Sequence, residues 1–211
     1  SSGAFTLAAG AAVLLEGRDW RSSRGQNVPP EQTAVAGSLV GYGFGRYRPR
    51  KRAPAQLVLD PSPGAQRGMA LAEAITAIRD LVNTPSLTKT PQWLAKEAAT
   101  LLKGLKVTVR DEKQLAKDGF GGIVGVGQGS TRPPRLIEVT YDGGGSQHIV
   151  LVGKGITFDT GGLSLKPTAG MLTMKTDMGG GAAVLGTLRA IADLKLKIKV
   201  TGLVAAAENM P

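Results

Sequence analysis

The segment from Val152 to Asp177 constrains the fold of this chain more than any other part of the sequence. It leaves an apolar run, passes through four glycines and ends where a Gly- and Ala-rich stretch begins; the glycines are Gly153, Gly155, Gly161 and Gly162. This order is typical of a strand, a tight loop and a helix. In open α/β sheets, ligands and catalytic groups collect beyond the carboxyl ends of the strands. The segment therefore predicts an α/β fold with a functional site at this loop.

The sequence around that segment predicts alternating strands and helices. Hydrophobic periodicity and turn residues favour strands at 107–109, 122–126, 136–141, 149–152 and 196–207, and helices at 112–117 and 179–194. We expect Asp177 at the N-terminus of the last helix. Lys195, Lys197 and Lys199 alternate with apolar residues, which places the last strand at a half-exposed margin of the sheet. The alternation predicts a mixed sheet flanked by helices.

The N-terminal third predicts a smaller α/β portion. Its patterns favour a strand at 56–59 and helices at 4–16, 30–42, 69–82 and 90–102, the last with Thr90 as N-cap and Pro91 in the first turn. The predicted organisation is the C-terminal part of an N-terminal domain over 1–68, an interdomain helix and turn over 69–84, and the N-terminal part of a second domain over 85–211. Both ends of the sequence are expected to be cut from a longer chain.

Composition excludes several classes of protein. The 211 residues contain no Cys, so a disulfide scaffold and a Cys-ligated metal are excluded, and no apolar run is long enough to predict a membrane span. The net charge of +10 leaves a nucleic-acid partner open. Only one basic cluster could form such a surface, and a solvated connector is the alternative interpretation; the cluster comprises Arg46, Arg48, Arg50, Lys51 and Arg52.

Several interpretations compete for the glycine-rich segment. A phosphate-binding loop fails on spacing, because Lys154 is followed by Gly155 and lacks the required upstream glycine. A dinucleotide fingerprint at 125–130 has Ser130 where its third glycine belongs. A structural interpretation uses the glycines for turns, Asp177 as an N-cap and the lysines on the surface. The only histidine, His148, opens an apolar strand and is expected to be structural.

A metal site is the remaining interpretation. Asp159 and Asp177 offer hard oxygen donors that suit Mn, Mg or Zn without neighbouring His or Cys. Lys154 can join them only as a neutral amine, a form that burial beside cations favours. Lys166 would keep its charge and face a substrate. From the residues alone, the structural and the metal-site interpretations both stay open.

The residues also resemble a known family. Val152–Asp177, the following Gly-Gly-Gly-Ala-Ala and the closing Ala-Glu-Asn-Met-Pro are similar to the leucyl (cytosol) aminopeptidases, which are metallopeptidases of family M17, clan MF. Arg79–Pro85 resembles the interdomain helix and its exit in that family, and Gly127–Leu136 resembles its next characteristic stretch. The resemblance covers Met69–Pro211 well and Phe5–Pro61 loosely.

The resemblance implies a role for each matching residue. Lys154, Asp159 and Asp177 would be ligands of two divalent metal ions, Mn or Zn, with Asp159 bridging them. Lys166 would be the catalytic lysine that polarises the scissile carbonyl and stabilises the tetrahedral oxyanion. Met174 would line the pocket for the first side chain of a peptide substrate, which gives a preference for Leu-like residues. The second domain would then be the N-terminal part of a catalytic metallopeptidase domain.

The resemblance also sets expectations for the whole molecule. A further family motif, Asn-Thr-Asp-Ala-Glu-Gly-Arg, would supply two more carboxylate ligands and an arginine that holds a bicarbonate, and it is absent from this sequence. We therefore expect this chain alone to be an inactive portion of a cytoplasmic, homohexameric enzyme without a membrane partner. One alternative hypothesis is a non-catalytic basic protein that binds nucleic acid. A nucleotide-binding enzyme is a further alternative, and the spacing of both glycine motifs counts against it.

Overall fold

The computed structural model describes residues 12–15, 28–47, 56–59 and 61–211. The chain divides into two compact units, Ser1–Thr76 and Ala77–Pro211, and the division falls inside the helix that the sequence predicts between two domains. The described elements, in chain order, are β1 Ala12–Leu15, α1 Pro30–Val40, β2 Gln56–Leu59, α2 Pro63–Asn83, α3 Pro91–Leu101, β3 Lys106–Arg110, α4 Glu112–Lys117, α5 Gly121–Gly127, β4 Arg135–Asp142, β5 His148–Asp159, α6 Thr168–Met171, the 3₁₀ turn Met174–Thr176, α7 Gly179–Asp193 and β6 Lys199–Asn209.

The first unit contains a two-stranded parallel pair and a helix. β1 and β2 pair from Ala12 with Gln56 to Leu15 with Leu59. The helix predicted at 4–16 is therefore wrong over residues 12–15, because a distant strand overrides the local helix preference of Ala and Leu; residues 4–11 and 16 lie outside the described residues. The helix predicted at 30–42 and the strand predicted at 56–59 are confirmed by α1 and β2.

The helix that joins the two units begins earlier than its apolar pattern predicts. The Ser62 Oγ atom accepts a hydrogen bond from the Ala65 amide at 3.1 Å, which is the geometry of a helix N-cap, and Pro63 occupies the first helical position. Pro63 and Gly64 are residue types that favour turns, but here they begin the helix.

The second unit is built on a four-stranded sheet in the order β3-β4-β6-β5. β3–β4 and β4–β6 are antiparallel, whereas β5–β6 is parallel. Helices α3 and α7 share a buried core with β4 and β6; its fully buried members include Leu94, Ala98, Ile137, Leu185 and Leu188. The predicted mixed sheet flanked by helices is confirmed.

Three predicted details of this unit are wrong. The last strand was predicted at a half-exposed margin, but β6 is a central strand paired on both sides. The alternating lysines do not indicate a margin, since most of them precede the strand, which begins only at Lys199. Residues 122–126 form part of helix α5, since the amides of Ile123 and Val124 both donate to the Phe120 carbonyl. A short apolar run does not distinguish a helix from a strand by its periodicity. β5 continues to Asp159, so Gly153 and Gly155 lie in a strand and not in a loop.

The glycines of β5 allow its backbone to contact the first turn of α7. A Cβ atom on Gly153 would lie 2.6 Å from the Gly180 carbonyl oxygen, and one on Gly181 would lie 2.6 Å from the Val204 side chain. Cβ atoms do not approach other atoms this closely without displacement. The glycines at these positions therefore set how closely β5 and α7 can pack.

Replacing Gly153 with Ala is expected to destabilise the protein by about 1–3 kcal/mol, because the new methyl group has no room against Gly180. Gly179→Ala is the matched control, since a Cβ atom there meets nothing within 4 Å. Urea unfolding of both variants measures the difference. Equal midpoints for Gly153→Ala and Gly179→Ala would contradict the close packing of β5 and α7.

Candidate functional site

A β-bulge in β5 determines which face of the sheet carries the candidate site residues. Lys154 pairs with Ala205 of β6 and Asp159 pairs with Asn209, but the register skips Thr157 between Ile156 and Phe158. Residues five positions apart in a regular strand point to opposite faces. Because β5 has one extra residue, Lys154 and Asp159 align with positions of β6 that lie four apart and share one face.

Lys154 and Asp177 form the first of two charged pairs. The Lys154 Nζ atom lies 2.8 Å from the Asp177 Oδ2 atom. The two atoms lie at ion-pair distance. Asp177 Oδ2 is buried and accepts no hydrogen bond from any described residue, so this carboxylate oxygen is under-satisfied.

Asp159 and Lys166 form the second pair. The Lys166 Nζ atom donates to the Asp159 Oδ2 atom at 2.5 Å, while the other carboxylate oxygen accepts from the Gly161 amide at 2.9 Å and from the Asn209 side-chain amide at 2.7 Å. Burial of the carboxyl favours a higher pKa, but the hydrogen bonds from Lys166, Gly161 and Asn209 outweigh it and lower the pKa of Asp159 to about 2. Asp159 is therefore a carboxylate at neutral pH.

A tight turn after β5 brings Lys166 back to Asp159. Gly161 has φ of 96° and Gly162 has φ of 62°, backbone conformations that favour glycine. The Lys166 amide donates to the Thr160 carbonyl at 2.8 Å, which closes the turn. A Cβ atom on Gly162 would lie 2.6 Å from the Asn209 Oδ1 atom, so glycine also leaves room for that side chain.

The remaining predicted residue, Met174, begins the 3₁₀ turn that precedes Asp177. The Asp177 amide donates to the Met174 carbonyl at 3.2 Å, and the Met174 side chain is partly buried. The predicted N-cap role of Asp177 is wrong: the residue before α7 is Met178, which is fully buried and makes no side-chain cap. Asp177 ends the 3₁₀ turn instead, and its carboxylate is directed to Lys154.

Two functional neighbours were missed by the sequence analysis. Asn209 orients Asp159, and it lies in the Ala-Glu-Asn-Met-Pro stretch that was noted only for its resemblance. The preceding residue, Glu208, is buried and accepts from Arg132 Nη1 at 2.8 Å and from Ser130 Oγ at 2.5 Å. Arg132 also donates to the Ser86 carbonyl at 3.0 Å. This network fixes the end of β6 at which Asn209 lies.

The residues present fit divalent cations only in part. The two carboxylates, one of which carries the buried and under-satisfied Asp177 Oδ2 atom, are hard donors of the kind that Mn²⁺ and Mg²⁺ prefer. No group of three or more His, Cys, Asp or Glu side chains that could hold a metal occurs among the residues that the structure describes. The described donors would therefore need Lys154 as a third ligand, together with further donors.

Other candidate features add little within the described part of the chain. Of the basic cluster, only Arg46 falls among the described residues; Arg48, Arg50, Lys51 and Arg52 lie outside them. His148 lies at the start of β5, and its Nε2 atom is 2.9 Å from the Thr201 hydroxyl. Among the described helices, none combines the length and the apolar character needed to cross a bilayer.

Comparison with known proteins finds relatives for most of the chain. Residues 76–211 match the model of the cytosol aminopeptidase family, catalytic domain. The chain is 44% identical over 227 residues to a protein of Leifsonia xyli subsp. xyli named "probable cytosol aminopeptidase", which covers 99% of this chain and 45% of that protein. A second relative, of the same name in Mycobacterium ulcerans, is 46% identical over 84% of this chain and 38% of its own length.

Solved structures show the same likeness. The bottromycin maturation enzyme BotP in complex with Mn superposes with a TM-score of 0.78 at 40% identity, covering 86% of this chain and 40% of that one. A cytosol aminopeptidase from Coxiella burnetii gives a TM-score of 0.78 at 37% identity, over 85% of this chain and 39% of its own. The chain thus spans less than half the length of these relatives.

The fold and the matched region define a metallopeptidase-type α/β domain. This chain belongs to the cytosol aminopeptidase family, peptidase family M17.

The buried network at the end of β6 generates a prediction for Glu208. Glu208→Gln removes the negative charge that pairs with Arg132 and should cost about 1.5–3 kcal/mol of stability. Asp193→Asn is the control, because it breaks an exposed i,i+4 ion pair with Arg189 that is worth roughly 0.3–0.5 kcal/mol. Chemical denaturation compares the two. A Glu208→Gln midpoint no lower than that of Asp193→Asn would contradict a structural role for the network.

Proposed function

We propose that this chain supplies part of the active site of a metal-dependent aminopeptidase that releases N-terminal residues, preferably Leu-like ones, from peptides. The observation that carries the proposal is the pairing of Lys154 with Asp177 and of Lys166 with Asp159 inside the region that matches the family's catalytic domain. Identities of 40–46% to relatives support it. The names of those relatives also support a cytosolic location.

Asp159, Asp177 and Lys154 would hold the divalent ions. Lys154 would do so as a neutral amine. The ions, when bound, would lower the pKa of a water molecule toward about 7 and polarise the scissile carbonyl. Mn²⁺ is the first cation to test, because the BotP structure contains it; Zn²⁺ is the second.

Lys166 would act on the substrate as an ammonium group. It would donate to the scissile carbonyl oxygen as negative charge develops there, and loss of such a donor costs about 10²–10³ in turnover. Asp159 holds the Lys166 side chain at the end of β5 before substrate arrives. Met174 would contact the first side chain of the peptide. The bicarbonate and the homohexamer stay predictions.

Metal binding tests the ligand set. Asp159→Asn and Asp177→Asn should each weaken Mn²⁺ binding at least tenfold by calorimetry, because each removes an anionic donor. Asp118→Asn is the charge-matched control, since Asp118 lies in α4's C-cap position beside Arg110. Wild-type affinity in both site variants, or no Mn²⁺ or Zn²⁺ binding by the unmodified chain, would refute the proposed site.

The donor set also predicts low activity for the 211-residue chain by itself. Three side chains would serve two ions, whereas hard cations take six or more donors. With Mn²⁺, the chain should hydrolyse Leu-p-nitroanilide no faster than its Lys166→Ala variant. Robust hydrolysis that Lys166→Ala abolishes would overturn this prediction, while supporting the aminopeptidase assignment.

A further inference from the structure

Lys89 is a fully buried lysine whose Nζ atom pairs with no carboxylate among the residues that the structure describes. Its side chain has no exposed surface, and its Nζ atom donates to three backbone carbonyls: Leu81 at 3.1 Å, Val82 at 2.9 Å and Lys175 at 2.6 Å. Buried lysines are rare because burial of an ammonium group is costly. A buried lysine with three acceptors in place therefore requires an explanation.

Two of the acceptors belong to the last turn of α2. The carbonyl of Leu81 would ordinarily accept from the amide of residue 85, but Pro85 has no amide hydrogen. Lys89 provides the missing donor from the turn that follows. Cations also interact favourably with the C-terminal end of a helix. Lys175 contributes a second ammonium group to this end, through a 3.3 Å hydrogen bond to the Asn83 carbonyl.

The third acceptor connects Lys89 to the candidate site. Lys175 lies in the 3₁₀ turn Met174–Thr176, directly before Asp177. The turn is therefore attached to the end of α2 twice, by Lys89 through the Lys175 carbonyl and by the Lys175 side chain through the Asn83 carbonyl. The backbone hydrogen bonds of the turn are local, because the Thr176 amide donates to the Thr173 carbonyl and the Asp177 amide to the Met174 carbonyl.

The chemistry of the amine fits this arrangement. An ammonium group has three hydrogens for three carbonyls, whereas a neutral amine has two. Burial and the neighbouring charge of Lys175 lower the pKa of Lys89 to about 8, which still leaves the group protonated at neutral pH.

We infer that Lys89 is a positioning residue that fixes the 174–177 turn on the end of α2 and so places the Asp177 carboxylate against Lys154. This inference rests on the proposed function for its consequence, which is that Lys89 controls metal affinity without contacting the metal. Groups that orient metal ligands typically contribute about 10- to 100-fold in affinity.

Three variants of the 211-residue chain test the inference. Lys89→Met keeps the length of the side chain and removes every donor, and Lys89→Gln keeps two N–H hydrogens. Leu115→Ala is the control for general destabilisation, because Leu115 is fully buried in α4, which packs against α5, β3 and β4. Each variant is measured by thermal unfolding, by Mn²⁺ calorimetry and by hydrogen exchange of the Thr176 and Asp177 amides.

Lys89→Met should weaken Mn²⁺ binding roughly tenfold or more and accelerate exchange at Thr176 and Asp177, with Lys89→Gln intermediate. Leu115→Ala should lower the melting temperature and leave both readouts unchanged. The inference fails if Lys89→Met and Lys89→Gln keep wild-type exchange at these amides, or if Leu115→Ala matches them. If the wild-type chain binds no Mn²⁺, the proposed function fails, while the exchange data still decide whether Lys89 holds the turn.

Discussion

The contact between the backbones of β5 and α7 is the constraint on which the second unit depends. Glycines on both surfaces, Gly153 in the strand and Gly180 and Gly181 in the helix, let the two backbones approach each other closely. Gly202 extends the same arrangement to β6, where a Cβ atom would lie 2.5 Å from the Leu188 side chain. Because α7 lies this close to the sheet, the turn before it reaches the level of Lys154. Asp177 and Lys154 become neighbours although they are distant in sequence.

The bulge at Thr157 complements that contact. Close packing alone would bring Asp177 to Lys154, but it would leave Asp159 on the opposite face of a regular strand. The extra residue brings Asp159 to the same face of the strand as Lys154. The buried Thr157 hydroxyl donates to the Ala207 carbonyl at 3.3 Å. Asn209 then meets Asp159 across the parallel pair. The glycine contact between β5 and α7 and the bulge at Thr157 thus bring the charged residues together.

The sequence predicted the parts of this arrangement that are determined locally. Thr90 caps α3 by accepting from the Trp93 amide, as its position before Pro91 indicates, and α4, α7 and the mixed sheet also follow from pattern. The glycine-rich segment pointed to the candidate site because close backbone approach requires residues without side chains. The extent of β5 was missed, since Gly153 and Gly155 have low strand preference and only pairing with β6 makes them a strand. The contacts of Lys89 and Asn209 depend on residues far away in sequence, so no local pattern indicates them.

Asp159, Asp177 and Asn209 lie where elements end, and charged side chains near several element ends replace the ordinary caps. α2 ends before a proline, and Lys89 and Lys175 satisfy its carbonyls. β6 ends at a network in which Arg132 and Glu208 are paired. α7 begins without a side-chain cap, and the Asp177 carboxylate precedes its positive end. Charged hydrogen bonds are directional and stronger than neutral ones. Element ends held in this way keep the Asp159 and Asp177 side chains in place, which apolar packing of exposed turns would not achieve.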